Sequence, residues 1–251
     1  MCGVVCHQIL QKVLKANDVP EGVSCLITGE HEAGKYLSQD TRVALVSATG
    51  STRMGKAVAA DVAERLGRSI LELGGNNAII ITPSADLDNV LVGAVFGAVG
   101  TCGQRCTSTR RLIIHESIYE QVKTKLQKAY GQIRIGNPLD SSNHMGPLID
   151  KGAVKSYLNA IEQVKAEGGR FLVEGGILEG AGYESGCYVK PCIAEVENSY
   201  PIVQHETFAP ILYLIKYAEL EEAIALQNGV PQGLSSAIRL IAHHNRRLNY
   251  R

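Results

Sequence analysis

The stretch Ser69-Ile-Leu-Glu-Leu-Gly-Gly-Asn-Asn-Ala-Ile-Ile-Ile81 decides the fold that we predict for this chain. It holds two short apolar segments, 69–73 and 78–81, with the length and composition of buried strands. Glu72 is the one charge that interrupts the first segment, and the two glycines after it let a ligand approach the backbone closely. The stretch therefore predicts two strands with a polar, ligand-accessible junction between them.

Strands and helices alternate on both sides of this junction. Further strands are predicted at 23–28, 43–46, 112–114, 211–215 and 234–238, helices at 4–14, 50–66, 86–101, 118–133, 153–166 and 220–227, a short helix before residue 43, and Gly-rich turns with short strands over 168–186. This alternation is typical of parallel βαβ units, so the predicted fold class is α/β. We place domains at 1–73 and 74–238, followed by a divergent tail at 239–251.

Composition excludes several classes of function. The 251 residues carry 25 Lys+Arg and 25 Asp+Glu, and this balance favours neither a nucleic-acid nor a membrane-surface partner. We find no apolar run long enough to cross a membrane and no signal peptide. Seven cysteines without a dense framework indicate reduced thiols in a cytosol-like compartment, so we predict a cytoplasmic location.

The segment Gly103-Gln104-Arg105-Cys106 follows Glu72 by 34 residues, counted from 72 to 106. A cysteine in a loop next to a helix is a candidate nucleophile, and a carboxylate near it is a candidate general base. Cys102, one helical turn before Cys106, is interpreted as structural. The cysteine pairs of the chain lack the spacing of zinc sites, so no metal is predicted.

Gly50-Ser-Thr-Arg-Met-Gly-Lys56 has the spacing of a phosphate-binding P-loop. Ala57 stands where a P-loop needs Ser or Thr for magnesium, which argues against the alternative of a nucleotide-phosphate hydrolase. We interpret the segment as a turn between a strand and a helix whose unpaired N–H groups favour an anion, with Ser51 as a phosphate contact. Gly29 to Lys35 has the same spacing and is assigned to a turn.

These motifs, together with Glu206-Thr207-Phe208-Ala209-Pro210, resemble in order and spacing those of the aldehyde dehydrogenase superfamily. The resemblance implies a partial Rossmann-type NAD-binding domain followed by an α/β catalytic domain, with NAD as cofactor and NADP as the alternative. It implies that Cys106 is the catalytic nucleophile and Glu72 the general base in oxidation of a small-molecule aldehyde to a carboxylate. The implied cofactor contacts are Gly50, Ser51, Gly55, Leu73, Glu206 and Phe208, with Glu206 on the nicotinamide ribose.

The stretches 76–80, 105–107, 205–210 and 233–236 look most like the antiquitin branch of that family. This branch resemblance implies α-aminoadipic semialdehyde, a compound of lysine breakdown, as substrate. Arg105 would then hold the substrate carboxylate, because its planar guanidinium suits paired hydrogen bonds. A structural ion pair is the alternative for Arg105.

The resemblance also implies a fragment, shortened at both ends relative to the family and without its oxyanion asparagine. The full-length enzymes form homo-oligomers, and a mitochondrial location is an alternative for them. The alternative function is an inactive fragment that at most associates with the full-length enzyme.

Overall fold

The structure is a computed structural model and describes residues 2–239. The chain divides into two compact units, one ending at Leu73 and the other beginning at Gly74. The division falls where the sequence places a domain junction, and the roles of the two domains stay predictions. None of the helices in the described part of the chain is long and apolar enough to cross a membrane.

The first unit is built around one parallel pair of strands. Its elements are α1 (Cys2–Ala16), α2 (His31–Gln39), β1 (Leu45–Thr49), α3 (Thr52–Glu64) and β2 (Arg68–Glu72). β1 and β2 pair from Leu45 opposite Arg68 to Thr49 opposite Glu72. α3 is the crossover between them, so the predicted βαβ unit is present here.

The strand predicted at 23–28 is wrong. No regular element occupies these residues, and the sheet of the first unit contains β1 and β2 alone. Val23 and Ile27 expose 66% and 64% of their surface. An apolar run becomes a strand only where a neighbouring strand pairs with it, and within this unit none does.

The second unit contains most of the chain. In order its elements are β3 (Asn77–Ile81), α4 (Leu87–Val99), β4 (Thr109–His115), a 3₁₀ turn (Glu116–Ile118), α5 (Tyr119–Tyr130), α6 (Lys151–Ala166), β5 (Arg170–Val173), β6 (Gly176–Ile177), β7 (Val189–Lys190), β8 (Cys192–Glu195), α7 (Pro201–Gln204), β9 (Ile211–Tyr217), α8 (Leu220–Asn228) and β10 (Ser236–Arg239).

Six of these strands form one sheet in the order β10-β3-β4-β9-β8-β5. All neighbours are parallel except β5, which pairs with β8 in the antiparallel sense. The α/β fold class is therefore confirmed. The predicted tail begins one residue too early, because Arg239 pairs with Ile81 in β10; residues 240–251 of that tail lie outside the described part.

The core of the second unit lies around its central strands. Ile81, Leu112, Ile113, Ile114 and Leu214 are fully buried, as expected for a parallel sheet covered on both faces. α4 covers part of this sheet and begins at Asp86, whose carboxylate accepts the N–H groups of Asp88 and Asn89. The helix is buried on one face only, since Val92 and Phe96 are 73% and 61% exposed.

Candidate active site

The candidate nucleophile lies in the loop between α4 and β4, residues 100–108, which we call the thiol loop. The loop turns at Cys102 and Gly103, both in the left-handed region with φ of 53° and 66°. A Cβ atom on Gly103 would lie 2.3 Å from the carbonyl oxygen of Ala209. The turn thus needs glycine at 103 both for its backbone conformation and for its close approach to the segment around Ala209.

Asn77, in the first position of β3, fixes the backbone of the thiol loop. Its Nδ2 donates to the carbonyls of Cys106 at 2.7 Å and Ser108 at 2.9 Å. Its Oδ1 accepts the N–H of Ser235 at 3.0 Å. The buried Asn77 amide therefore holds two carbonyls of the thiol loop, that of the candidate nucleophile among them, and ties them to the backbone at Ser235.

Gln104 fixes the other side of the loop. Its Oε1 accepts the N–H of Ile149 at 2.8 Å, and its Nε2 donates to the carbonyls of Thr101 and Pro147, each at 3.3 Å. The Gln of the Gly-Gln-Arg-Cys motif is therefore a structural tie between the thiol loop and the segment before α6.

The two cysteines of the loop differ in environment. Cys102 is 1% exposed, and burial raises the pKa of its thiol to about 12, so it stays protonated at neutral pH. Cys106 is only partly buried. A nucleophile must be reachable and able to lose its proton, which agrees with the interpretation of Cys102 as structural.

Gly74 and Gly75 each make room for a different part of the site. A Cβ atom on Gly74 would lie 2.0 Å from Oε2 of Glu206, and one on Gly75 would lie 2.5 Å from the carbonyl oxygen of Cys106. The N–H of Gly75 also donates to Oε1 of Glu206 at 3.1 Å. The glycine pair thus lies between the thiol loop and Glu206.

Glu206 and Phe208 belong to the segment 206–209, which we call the Glu206 segment. It follows α7 and leads into β9. The partly buried Glu206 lies 3.7 Å from the guanidinium of Arg110, and that guanidinium also lies 5.4 Å from the ring centre of Phe208. Glu206 and Phe208, predicted to bind cofactor, are thereby held next to the thiol loop.

Arg105 is exposed, and its guanidinium lies 5.4 Å from the ring centre of Phe96 on α4. Among the described residues of the second unit, no carboxylate lies within ion-pair distance of it. Its N–H donates to Oγ of Ser108 at 3.1 Å, which fixes the backbone, and its guanidinium makes no hydrogen bond to the residues 74–239 of this unit that the structure describes. The side chain is therefore open to an anionic ligand.

Two clefts border the Glu206 segment. One of about 450 Å³ is apolar and is lined by Gln104, Pro147, Leu148, Ile149 and Phe208. The other, of about 340 Å³, mixes polar and apolar groups from α6 and from residues 202–209, Glu206 among them. Phe208 takes part in both, so it separates an apolar cleft beside Gln104 from a polar cleft beside Glu206.

The remaining predicted site residues lie in the first unit, at the carboxyl edge of its parallel strands. The N–H of Gly50 donates to the carbonyl of Glu72 at 3.0 Å, which joins the turn before α3 to the end of β2. Ser51 is the N-cap of α3, and its Oγ accepts the N–H of Met54 at 3.1 Å. Gly55 packs on Leu73, since a Cβ atom there would lie 2.4 Å from a Leu73 methyl carbon.

Ligands of parallel sheets bind at this carboxyl edge. The structure thus brings Gly50, Ser51, Gly55, Glu72 and Leu73 together within the first unit. It brings Cys106, Arg105, Glu206 and Phe208 together within the second.

Sequence reasoning missed three residues that hold the site: Asn77, Gln104 as a tie, and Arg110. Asn77 and Gln104 lie inside the motifs quoted above, but the motifs do not indicate what their side chains bind. Arg110 follows the motif by four residues and contacts Ala209, which is 99 residues away. A contact at that separation has no local pattern in the sequence.

Comparison with known proteins gives the chain its family. Residues 3–241 match the model of the aldehyde dehydrogenase family. The chain is 48% identical over 239 residues to α-aminoadipic semialdehyde dehydrogenase of Bos taurus, and 42% identical over 235 residues to aldehyde dehydrogenase family 7 member A1 of Pisum sativum. These alignments cover 95% and 94% of this chain but 44% and 46% of the relatives, so the chain spans about half the length of the curated relatives it matches.

Solved structures agree with this assignment. A betaine aldehyde dehydrogenase double mutant from Staphylococcus aureus, in complex with NAD⁺, superimposes with a TM-score of 0.87 at 28% identity, over 91% of this chain and 46% of that one. An aldehyde dehydrogenase from Burkholderia cenocepacia superimposes with a TM-score of 0.81 at 32% identity, over 84% and 43%. The match to the family model extends to residue 241, past Ile238, where we placed the end of the family pattern. This chain therefore belongs to the aldehyde dehydrogenase family.

Proposed function

We propose that this chain carries the reacting groups for NAD-dependent oxidation of an aldehyde to a carboxylate. The observation that carries the proposal is that the thiol loop and the Glu206 segment lie together, joined by the side chain of Arg110 and by the close backbone approach of Gly74 and Gly75. A nucleophile beside a carboxylate that can hold a sugar is the arrangement that the reaction needs. NAD, when bound, accepts the hydride that leaves the substrate carbon.

The residues present fit such a cofactor. Oε2 of Glu206 makes no hydrogen bond to the described residues of the second unit, so it can accept one from a ribose hydroxyl. Gly74 leaves space beside that oxygen where any larger residue would fill it. In the first unit, Ser51 and the free N–H groups at the start of α3 suit a phosphate. Structures of the Staphylococcus aureus relative contain NAD⁺, which supports NAD here too.

Cys106 supplies the nucleophile. Its thiolate adds to the aldehyde carbon to give a thiohemiacetal, and the oxidised product is a thioester on the same sulfur. The backbone of the loop is held at the Cys106 carbonyl by Asn77, which keeps the sulfur in place while the carbon it carries changes geometry.

Glu72 supplies the base for the second half of the reaction. As a carboxylate it takes a proton from water, and the hydroxide that results attacks the thioester and releases the acid. It ends β2 next to the turn that holds Ser51, at the edge of the strands where ligands bind.

α-Aminoadipic semialdehyde is the substrate we propose. Relatives named for it are up to 48% identical to this chain. Arg105 neighbours Cys106 and has no carboxylate partner among the residues of its unit that the structure describes, so it is available for the substrate carboxylate. Arg105→Lys is expected to raise KM for this aldehyde and to leave KM for a neutral aldehyde nearly unchanged, because only the former carries the carboxylate.

The first test measures NADH formation at 340 nm by the purified chain with NAD and the semialdehyde. Cys106→Ala is expected to lower the rate roughly 10³-fold or more, since loss of a nucleophile removes the covalent route. Cys25→Ala, an exposed thiol in the first unit, is the matched control and should keep the wild-type rate. Turnover in Cys106→Ala would overturn the assignment. A folded wild-type chain that makes no NADH would instead favour the inactive-fragment alternative.

The second test concerns Glu72. Glu72→Gln is expected to give one equivalent of NADH per chain and then stop, because the thioester forms but water is not activated. Rapid mixing with acid quench separates the burst from the steady state. Steady-state turnover at the wild-type rate would contradict a general-base role for Glu72.

A further inference from the structure

We infer that Arg110 is a positioning residue that couples the thiol loop to the Glu206 segment, so that binding at Glu206 is transmitted to Cys106. The inference rests on the proposed function for what binds at Glu206. The coupling itself is a property of the second unit and can be tested without any cofactor.

Both terminal nitrogens of the guanidinium hold the thiol loop. Arg110 donates from NH1 to the carbonyl of Gly103 at 2.7 Å and from NH2 to the carbonyl of Arg105 at 3.1 Å. These two carbonyls flank Gln104, and the second one precedes Cys106 directly. A planar fork with several fixed donors can hold both at once, which a lysine could not.

The same two nitrogens also contact the Glu206 segment. NH1 also donates to the carbonyl of Ala209 at 3.1 Å, and NH2 lies 3.7 Å from Oε1 of Glu206. The ring of Phe208 lies over the guanidinium at 5.4 Å, a distance typical of a cation–π contact. One side chain thus contacts three of the four residues of the segment.

This position is costly for a cation, which argues for a role beyond stability. Arg110 is 3% exposed, and its Nε has no hydrogen-bond partner among the described residues. Burial lowers the pKa of the guanidinium to about 10, so it still carries its charge at neutral pH. Buried ion pairs can often be replaced by apolar residues without loss of stability.

The adjacent Arg111 provides a matched comparison. It is fully buried, and burial likewise lowers its pKa to about 10. Its donors reach the carbonyls of Asn76, Leu226 and Gln227 and Oδ1 of Asn198, none of which belongs to the thiol loop or the Glu206 segment. Two buried arginines side by side therefore differ in what they join.

A ligand at Glu206 would act on Cys106 through this link. Oε1 of Glu206 faces Gly75 and Arg110, whereas Oε2 makes no hydrogen bond among the described residues. A ligand that moves the Glu206 carboxylate also moves the negative charge next to Arg110. Arg110 in turn holds the carbonyls of Gly103 and Arg105, which precede Cys106. The position of the thiol thus depends on occupancy at Glu206.

The test is hydrogen exchange of the chain without NAD, in the wild type, Arg110→Met, Arg110→Lys and Arg111→Lys. Arg110→Met is expected to raise exchange about tenfold in both the thiol loop and the Glu206 segment, because charged hydrogen bonds to both are lost. Arg110→Lys keeps the charge and should give a smaller rise in both. Arg111→Lys should raise exchange around residues 226–227. It should not raise exchange in both the thiol loop and the Glu206 segment. A rise in only one segment, or the same pattern in Arg111→Lys, would overturn the inference.

The second readout is the rate at which iodoacetamide alkylates Cys106, followed by peptide mass spectrometry with and without NAD. In the wild type, NAD is expected to change this rate; in Arg110→Met the two rates should coincide, although NAD still shifts the melting temperature. An unchanged response to NAD in Arg110→Met would contradict the coupling. A wild-type chain whose melting temperature NAD does not shift would refute NAD binding, while the exchange data would still decide the coupling.

Discussion

The two units of this chain contain the same kind of element but bury very different amounts of it. Both have parallel strands joined through helices, yet in the first unit only Ser38, Gly55 and Val62 are buried among the described residues. In the second unit an apolar core runs through β3, β4, β8 and β9 and the helices that cover them. The exposure of β2 shows the contrast, since Ile70 is 51% exposed whereas Leu112 of β4 is fully buried.

This difference determines how firmly the candidate site residues of each unit are held in position. The thiol loop and the Glu206 segment are attached to a buried sheet by Asn77, Arg110 and two glycines that leave no spare volume. The turn at Ser51 is attached to two strands with little core beneath them. We therefore expect equal changes in the two units to have unequal effects.

The largest difference is expected for truncation of a strand residue. Leu112→Ala should lower the free energy of unfolding by about 2–5 kcal/mol, because it leaves a cavity in a packed core. Ile70→Ala should cost less than about 1 kcal/mol, since half of its surface is already in water. Urea denaturation of both variants measures this, and equal costs would break the comparison.

A smaller difference is expected for glycine to alanine. Gly75→Ala should cost about 1–3 kcal/mol, because its Cβ would meet the backbone carbonyl of Cys106, which cannot move aside alone. In Gly55→Ala the Cβ meets the side chain of Leu73, and better helix propensity, worth about 1 kcal/mol, offsets part of the strain.

Thermal melting and the alkylation rate of Cys106 check this pair. Only Gly75→Ala should change the alkylation rate. A larger loss of stability in Gly55→Ala would show that the first unit is packed more tightly than its burial indicates.

A third difference concerns the pH dependence of stability, which has opposite signs in the two units. Burial raises the pKa of Cys102 and Cys192 to about 12 from an ordinary 9.0. The contribution of the two protonated thiols to the free energy of unfolding is therefore intact below about pH 9 and is lost as the pH rises toward 12. Between these pH values the free energy of unfolding falls by ~1.4 kcal/mol per pH unit for each thiol. Cys102→Ala/Cys192→Ala should flatten this slope in urea titrations between pH 9 and 11.

In the first unit the sign is opposite. A hydrogen bond from the Arg42 side chain lowers the pKa of Asp40 from 3.8 to about 2. The stabilisation of the local structure by the ionised Asp40 carboxylate is therefore present above pH 3.8 and is lost as the pH falls toward 2. Hydrogen exchange near residues 40–42 at acid pH measures this local effect. An exchange rate there that does not rise between pH 4 and 2, after correction for the intrinsic rate, would contradict it.

Sequence patterns predicted the elements whose signals are local. Apolar runs such as 78–81 and 211–215 became β3 and β9 because they are long enough to be buried on both faces. β7 and β8 were not predicted individually, since Pro191 divides them into two short runs. The run at 23–28 failed for a different reason, because strand formation depends on a partner that its own residues do not encode.

The candidate site divides in the same way. Motifs carry Cys106, Glu72, Ser51 and Glu206, and their roles stay predictions. The geometry that joins them does not appear in any motif, because it depends on contacts such as Asn77 with Cys106 and Arg110 with Ala209, 29 and 99 residues apart. A glycine pair in sequence indicates freedom of the backbone; only the packing shows that Gly74 and Gly75 serve two different neighbours.

The apolar cleft beside the thiol loop has one wall that can be redesigned. Both the oxygen and the nitrogen of the Gln104 amide are hydrogen-bonded, and Phe208 lies against the guanidinium of Arg110. Substitution of Gln104 or Phe208 would therefore disturb the thiol loop. Ile149 lines the same cleft, is 82% exposed, and contributes only its backbone N–H to the tie with Gln104. Under the proposed function, selection for bulkier or more polar aldehydes would therefore start from saturation mutagenesis of Ile149, where the side chain can be varied while the hydrogen bond from its backbone N–H to Gln104 is kept.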